Sequence, residues 1–476
     1  MELKKSFYYI LLILIGNLSK TIEIFAQKGS DKFSYESTDL HAAFQHPESL
    51  RNLFISTSEI NLDLPFEKFG EFENLEFFSV SIEHRRDVAK VDSILKVISR
   101  LPKLVSLEVK TLDKLPNNIR LFKNLKDLSL LFEKKCDCQT IKKLNSELDK
   151  LQKISIVFSQ NNEIPDCIYN FTSISEISIG SKNPNLSLPD GISKLNHLEF
   201  ISIGAKCIKQ LPKDIGSLKH LKQFWINGGL KTCPISMLNI DSLKSIDLKT
   251  DYILNPNCIA KEFVGIKSLK QLKINDDWIK LFENNNYINS SNISGLEVSF
   301  SHLTSTFPKE IFKLSKLTEL SVWGFSNQSL KGIERSNIKH LQIKHSNLNS
   351  IFVDLVQSEK IETFWISYKD LESVSDSIIF KLRNTKIKTI YISVDSILYN
   401  TMVFPNTINY FPDGKINTIL GDGTQFYDVK WNERTFKLLK SKSDKFNNQI
   451  IEKFKKLLPG IIISLNQNPR IIFSNN

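Results

Sequence analysis

LPKDIGSLKHLKQFWI (residues 211–226) repeats the apolar pattern of LPDGISKLNHLEFISI (residues 188–203) at a spacing of 23 residues. The two stretches share the template LPxxIxxLxxLxxLxI, and weaker copies extend it to roughly fifteen between residues 40 and 395. Other clear copies begin at Leu115, Ile141, Ile164 and Phe307. Similarity at a fixed period of a few tens of residues predicts a stack of repeated units, not a set of ordinary domains.

Each copy combines two kinds of periodicity. In the closing LxI, alternate residues lie on opposite faces of an extended chain, which predicts a strand. The preceding LPxxIxxLxx spaces apolar residues by three and four, which predicts a helical turn packed on that strand, with proline early in the turn. One copy cannot bury both parts, so neighbouring copies must stack to close a core. In residues 211–226 the predicted core consists of Leu211, Ile215, Leu218, Leu221, Phe224 and Ile226.

These copies resemble leucine-rich repeats of the LPxxI subtype, and the resemblance covers about three quarters of the chain. It implies an α/β solenoid: a leucine-rich repeat horseshoe with a parallel β-sheet on the concave side and short helices or turns on the convex side. A small C-terminal α+β cap would close the array. Several copies in register make this pattern specific.

The two ends of the chain differ from the array. Lys4 and Lys5 precede an apolar run, Phe7 to Ile15, and Ala26 is a small residue, which together predict a signal peptide over residues 1–26. The apolar run is too short for the ~20 residues of a membrane-spanning helix. We expect a lead-in over residues 27–39, the repeats over 40–395 and a cap over 396–476. The cap should contain a hairpin in residues 411–431, a helix in residues 443–460 and terminal strands.

Composition and motifs argue against enzymatic activity and against nucleic-acid binding. The net charge of +11 attracts acidic partners in general, but the lysines are scattered as on a solvated surface, so nucleic acid is not the expected partner. No phosphate-binding glycine loop, HExxH or GxSxG motif occurs. We therefore expect no enzyme, no catalytic residue, no metal and no cofactor.

The six cysteines permit disulfides in an exported protein, but their spacing does not select a pairing. Cys136 and Cys138 are too close in sequence for a zinc knuckle, and no second pair at metal-ligand spacing follows them. Cys233 and Cys258 occupy places where the template has leucine, so we expect buried thiols there.

The residue between the two apolar residues of each LxI should lie on the concave face. Twelve copies give this row in chain order: Ser129, Ser155, Ser178, Ser202, Trp225, Asp247, Lys273, Glu297, Ser321, Gln342, Trp365 and Tyr391. Trp323 should share the same face. Exposed aromatic side chains are favoured as interface anchors, although Trp365 and Tyr391 in neighbouring copies would also stack on each other.

The sequence predicts an exported, non-enzymatic leucine-rich repeat protein that binds a protein or glycan partner through the concave sheet. We expect its location to be extracellular, at the cell surface or periplasmic. The abundance of Lys, Asn, Ile and Ser suggests an AT-rich genome, which together with the ending FAQ of the predicted signal peptide favours a bacterial source. Two alternatives stay open: an intracellular scaffold, if residues 1–26 are retained, and an enzyme activity in the tail. The predicted partner-binding residues are Trp225, Trp323, Trp365, Tyr391, Asp247, Lys273 and Glu297.

Overall fold

The chain is described from a computed structural model. It describes residues 36–37, 40–58, 65–134, 136–159, 164–182, 186–230, 235–249, 261–300, 307–324, 329–344, 348–367, 382, 385–393, 425–431, 434–440 and 462–465. The predicted signal peptide and the predicted helix in residues 443–460 lie outside these ranges. The described residues form two compact units, the first ending at Ile246 and the second beginning at Asp247.

The first unit contains a parallel sheet to which each copy adds one strand. Its strands are β1 (Glu36–Ser37), β2 (Asn52–Ser56), β3 (Phe77–Ser81), β4 (Ser106–Thr111), β5 (Asp127–Phe132), β6 (Lys153–Phe158), β7 (Glu176–Ser181), β8 (Leu186–Ser187), β9 (Phe200–Gln210) and β10 (Gln223–Leu230). From β1 to β7, and then through β9 to β10, each strand pairs with the next, while the short β8 pairs with the second half of β9. The unit boundary falls within β11 (Ser245–Lys249).

The second unit repeats this arrangement. Its strands are β12 (Gln271–Asn275), β13 (Gly295–Ser299), β14 (Glu319–Trp323), β15 (His340–Lys344), β16 (Thr363–Ser367), β17 (Thr389–Ser393), β18 (Gln425–Trp431), β19 (Arg434–Lys440) and β20 (Ile462–Leu465). Strands β12 to β17 pair in order and in parallel, and β20 pairs in parallel with β17. Strands β18 and β19 pair antiparallel and form a hairpin, whereas residues 411–424 of the predicted hairpin lie outside the described residues.

The helical half of most copies is a single short turn. The α-helices are α1 (Leu40–Gln45), α2 (Val88–Ile98), α3 (Cys138–Glu147) and α4 (Leu348–Val356) among the described residues. The 3₁₀ helices there are Pro47–Ser49, Phe66–Glu71, Arg85–Asp87, Asn117–Leu121, Asp166–Asn170, Ile192–Lys194, Lys213–Ser217, Ile235–Asn239, Lys261–Gly265, Asp276–Leu281, Ile288–Ser290, Lys309–Lys313 and Ile333–Arg335. The template proline is the extended N-cap of several of them, as at Pro116 and Pro212. Few residues then remain before the strand, which suits a tight 3₁₀ turn.

The core lies between the strands and these helices, as the template predicts. Leu211, Ile215, Leu218, Leu221, Phe224 and Ile226 are all buried. Successive copies are also joined through polar groups, because the Asp214 carboxylate accepts hydrogen bonds from the Gly191 and Ser193 amides at 3.0 and 2.9 Å. The parallel strands, the short helices and the shared core confirm the predicted α/β leucine-rich repeat solenoid.

Candidate functional site

One residue of each core strand faces away from the helices and forms a continuous row along the sheet. We call the sheet face that carries this row the open face; it is the face that the sequence predicts to be concave. In the first unit the central row consists, in register, of Phe54, Ser79, Glu108, Ser129, Ser155, Ser178, Ser202 and Trp225. The in-register neighbours that the sequence predicts from Ser129 to Trp225 are therefore confirmed.

The serines of this row carry hydroxyl groups without a hydrogen-bond partner among the described residues. Ser155 and Ser178 are each 4% exposed, whereas Ser129 and Ser202 are half-buried. Within the described residues none of the four hydroxyls forms a hydrogen bond, and none of the four oxygens is among the fully enclosed ones. Each hydroxyl offers one donor and two acceptor positions. The row is thus a line of hydroxyl groups, of which those of Ser129 and Ser202 are the more accessible.

Two half-buried carboxylates lie at the β4 and β5 end of this row. Ser79 Oγ donates a hydrogen bond to Glu108 Oε1 at 2.9 Å, and burial raises the pKa of Glu108. Burial also raises the pKa of Asp127, although the nearby Lys153 ammonium opposes the shift. Lys153 itself forms an ion pair with Glu176 at 3.1 Å. Neither acid is predicted from the sequence, because the repeat template specifies apolar residues alone.

Trp225 closes the row at β10 and is half-buried. Its ring meets that of Phe200 edge to face, with centroids 4.8 Å apart and planes at 87°. Phe200 lies on the same face of β9, since Gln223 is its register partner and Trp225 follows two residues later. Trp225 therefore contributes to packing, because its ring covers Phe200. No described residue accepts a hydrogen bond from its indole N–H.

The central row of the second unit contains more polar contacts between its side chains. It consists of Lys273, Glu297, Ser321, Gln342, Trp365 and Tyr391 in register. Lys273 Nζ lies 3.2 Å from Glu297 Oε2, and Glu297 is only 6% exposed. Ion pairing compensates part of the cost of burying this carboxylate. These two predicted site residues are thus partners of each other.

Trp323 lies on the same face as the row, as predicted, and is tied into it. Its indole N–H donates to Ser321 Oγ at 2.7 Å, and Ser321 Oγ donates in turn to Gln342 Oε1 at 3.1 Å. Both acceptors are buried. These two hydrogen bonds hold the Trp323 indole in one orientation, with part of the side chain exposed.

The remaining predicted residues, Trp365, Tyr391 and Asp247, occupy the central position of their strands. Trp365 is half-buried and its ring centroid lies 6.5 Å from that of His340, whose pKa is lowered by burial. Trp365 and Tyr391 are register partners, whereas the side chain of Tyr391 lies outside what the structure describes. Asp247 is half-buried in β11.

A cluster of cysteines lies apart from the open face. Cys138, the first residue of α3, forms a disulfide with Cys167 in the 3₁₀ helix of the next copy. Cys136 is a buried free thiol with its Sγ 4.0 Å from that of Cys167, and burial raises its pKa to about 12. A thiol with so high a pKa is unreactive near neutral pH. The predicted thiols Cys233 and Cys258 lie outside the described residues.

Among the described residues, no helix combines the length and apolar character needed to cross a bilayer. No protein-family model matches the chain. The volume-regulated anion channel subunit LRRC8D of Rattus norvegicus is 21% identical over 242 residues, which are 44% of this chain and 28% of that protein. Subunit LRRC8A of Homo sapiens is 25% identical over 252 residues, 50% of this chain and 30% of that protein. The chain thus matches less than a third of the length of either relative.

Two solved structures are similar at low scores. A TLR13–ssRNA13 complex gives a TM-score of 0.35 at 12% identity, covering 73% of this chain and 67% of that chain. Internalin C2 from Listeria monocytogenes gives 0.25 at 12% identity, covering 54% of this chain and 92% of that chain. The repeats, their strand register and the two sequence relatives together point to the leucine-rich repeat family.

Proposed function

We propose that this chain is an exported, non-enzymatic binding protein of the LPxxI type, from a bacterial source, which holds a protein or glycan partner on its open face. Trp225, Trp323, Trp365 and Tyr391 would be the anchors. Asp247, Lys273 and Glu297 would tune specificity.

One observation carries this proposal. Large aromatic side chains recur on a face where the fold needs none, while the positions before and after them in each strand are filled by the core. Trp225 and Trp365 are each held by one aromatic neighbour and retain exposed area. Aromatic residues placed in this way are typical anchors of binding surfaces.

The absence of catalytic motifs in the sequence supports a binding role over an enzymatic one. Catalysis by a serine of the central row would need an adjacent base, and Ser155 and Ser178 have serines as their neighbours in the row. Leucine-rich repeats also present a broad surface instead of a closed cleft, which suits recognition of a large partner.

A double variant, Trp225→Ala with Trp365→Ala, tests the use of the open face. Partners are captured from an extracellular protein fraction and from a glycan array with the wild-type chain. The double variant should lose at least about tenfold in affinity for the captured partner. Tyr287→Ala is the matched control, since Tyr287 is 42% exposed and lies in a loop away from the strands. Unchanged binding by a folded double variant would overturn the proposal.

Export is tested separately by the N-terminus of the protein made in its own cell. Mass spectrometry should find a chain that begins near Gln27, after removal of the basic and apolar segment. An intact Met1 on protein recovered from the cytosol would contradict export and favour the intracellular scaffold.

A further inference from the structure

We propose that Cys136, Cys138 and Cys167 form a zinc site when the disulfide between Cys138 and Cys167 is reduced. Three thiolates bind the ion, and a solvent molecule takes the fourth position. The cluster lies apart from the open face, so this inference does not depend on the proposed function. The disulfide and the zinc site are alternative states of the same three sulfurs.

The three sulfur atoms lie at distances that suit one shared ion. Every pair of Sγ atoms in the cluster lies within 4.8 Å, and those of Cys136 and Cys167 are 4.0 Å apart. Zinc binds thiolate sulfur at about 2.3 Å in tetrahedral geometry, which places two such sulfurs about 3.8 Å apart. Cys136 and Cys167 are therefore close to the separation of two zinc ligands.

The third ligand becomes available when the disulfide is reduced. A dithiol reductant gives two electrons and two protons to the Cys138 and Cys167 sulfurs and becomes a disulfide itself. The two sulfurs then separate by rotation about the Cα–Cβ bonds, which the half-exposed position of Cys138 and the Cα–Cα distance of 5.6 Å allow. Zinc displaces the thiol protons on binding, because the thiolate is the form that binds the metal.

The local structure holds the cluster in place. The Asp137 carboxylate accepts hydrogen bonds from the Thr140 amide at 3.1 Å and the Thr140 hydroxyl at 2.8 Å. It also accepts one from the Leu115 amide of the preceding copy at 3.1 Å. These contacts fix the segment between Cys136 and Cys138. They engage both oxygens of Asp137, which leaves the three sulfurs as the ligands.

The ligands and their surroundings select the class of ion. Thiolates favour soft ions such as zinc, whereas magnesium and calcium prefer oxygen ligands. Three thiolates and one zinc ion carry a single net negative charge. Cys138 is the first residue of α3, so the positive end of this helix lies beside that charge. Because Cys138 is half-exposed, solvent reaches the fourth position.

Spacing along the sequence does not predict this site. Cys136 and Cys138 are too close for a zinc knuckle, and the third ligand belongs to the next copy, 29 residues after Cys138. The stacking of copies brings Cys167 to the other two.

The test measures metal binding by the full chain under anaerobic conditions. A phosphine reductant is used, since a thiol reductant would itself bind the metal. Cobalt alone should bind the reduced chain as one ion, with thiolate-to-cobalt charge-transfer absorption and the visible bands of a tetrahedral site, and zinc alone should displace it. The oxidised chain should bind at least about 100-fold more weakly. Absence of binding, or binding that does not depend on reduction, would overturn the inference.

Variants identify the ligands. Cys136→Ala and Cys138→Ala should each weaken cobalt binding by at least about 100-fold, since changes outside the ligand shell already cost about 10–100-fold. The matched control is Cys207→Ala on β9, which removes a cysteine outside the cluster and should bind like the wild type. If cobalt binding depends on Cys207 and not on Cys136 or Cys138, the inference is wrong.

Alkylation of the wild-type chain gives a readout that needs no variant. Zinc should protect Cys136, Cys138 and Cys167 of the reduced chain from iodoacetamide, and a chelator should remove the protection, as mapped by mass spectrometry. Cys138 is the decisive position, because it is half-exposed and burial alone does not protect it. Unchanged labelling of Cys138 in the zinc-bound chain contradicts the assignment.

Discussion

The disulfide between Cys138 and Cys167 gives the sharpest stability prediction. It closes a loop across two successive copies with a sequence separation of 29 residues. Loop-closure entropy for this length is about 12 cal/mol/K, or about 3.6 kcal/mol of stabilisation at 25 °C. We expect a loss of this size when the cross-link is removed.

Removal of Cys138 alone is not a clean perturbation, because Cys136 lies close enough to Cys167 to take its place. The comparison should therefore be made in a Cys136→Ala background, in which the disulfide is intact. Adding Cys138→Ala removes the cross-link with little loss of packing, since Cys138 is half-exposed. Cys136→Ala by itself should cost only about 1 kcal/mol, the value of a small buried group.

Hydrogen exchange of the β6 amides, Lys153–Phe158, is the appropriate measurement. These residues lie inside the closed loop, and a repeat array loses stability locally instead of as one two-state unit. A loss of about 3.6 kcal/mol corresponds to roughly 400-fold faster exchange in β6. The amides of β13 should be unaffected. Less than a fivefold change in β6, or a mapped Cys136–Cys167 disulfide in the wild type, would refute the reasoning.

Three further predictions concern the core, the carboxylates and one glycine. Leu221→Ala should lower the free energy of unfolding by ~2–5 kcal/mol, measured by denaturant titration, while Lys222→Ala on the exposed side should change it by less than about 0.5 kcal/mol. Burial raises the pKa of Glu108, so the contribution of this carboxyl to folding stability is most favourable below pH 4.5 and is lost as the pH rises through the folded-state pKa. Glu108→Gln should therefore stabilise the folded protein at pH 7. The Ser81 hydrogen bond lowers the pKa of Glu83, so its contribution is present above pH 4.5 and lost on acidification, and Glu83→Gln should destabilise at pH 7; pH-dependent thermal unfolding compares the two. Gly228 has a φ of +137° and its added Cβ would overlap the Ala205 carbonyl, so Gly228→Ala should cost more than about 1–3 kcal/mol in the same titration.

The parts of the fold that depend on local pattern could be predicted from the sequence. The LxI alternation determines which strand residues enter the core, and the recurrence of LxI once in each copy determines which of them become neighbours. This is why the six apolar template residues within residues 211–226 are buried as expected and why Ser202 and Trp225 lie side by side. Each of these outcomes follows from spacing within one copy or between two.

Contacts between irregular segments could not be predicted in this way. Cys138 and Cys167 meet because α3 and the following 3₁₀ helix start at compatible places, which the cysteine spacing does not reveal. The hairpin of β18 and β19 was not predicted, because the segment between these strands lacks an Asp-Gly turn signal like those in residues 411–431. Trp225 contacts Phe200 diagonally, on the neighbouring strand and two residues away from its register partner Ser202. The list of central-row residues alone does not reveal such a contact.

The central position of each strand is where this fold leaves the sequence most freedom. Leu and Ile on either side are required by the core, whereas the residue between them is not. The four successive serines in the first unit, next to two glycines, are therefore not required by the core. The same holds for the ion pair, the amide and the tryptophans of the second unit. Trp225 ends the first pattern and has two roles. Its edge-to-face contact covers Phe200, while part of its side chain stays exposed on the open face. Trp225→Ala should therefore lower the free energy of unfolding less than Leu221→Ala does, and should weaken partner binding more.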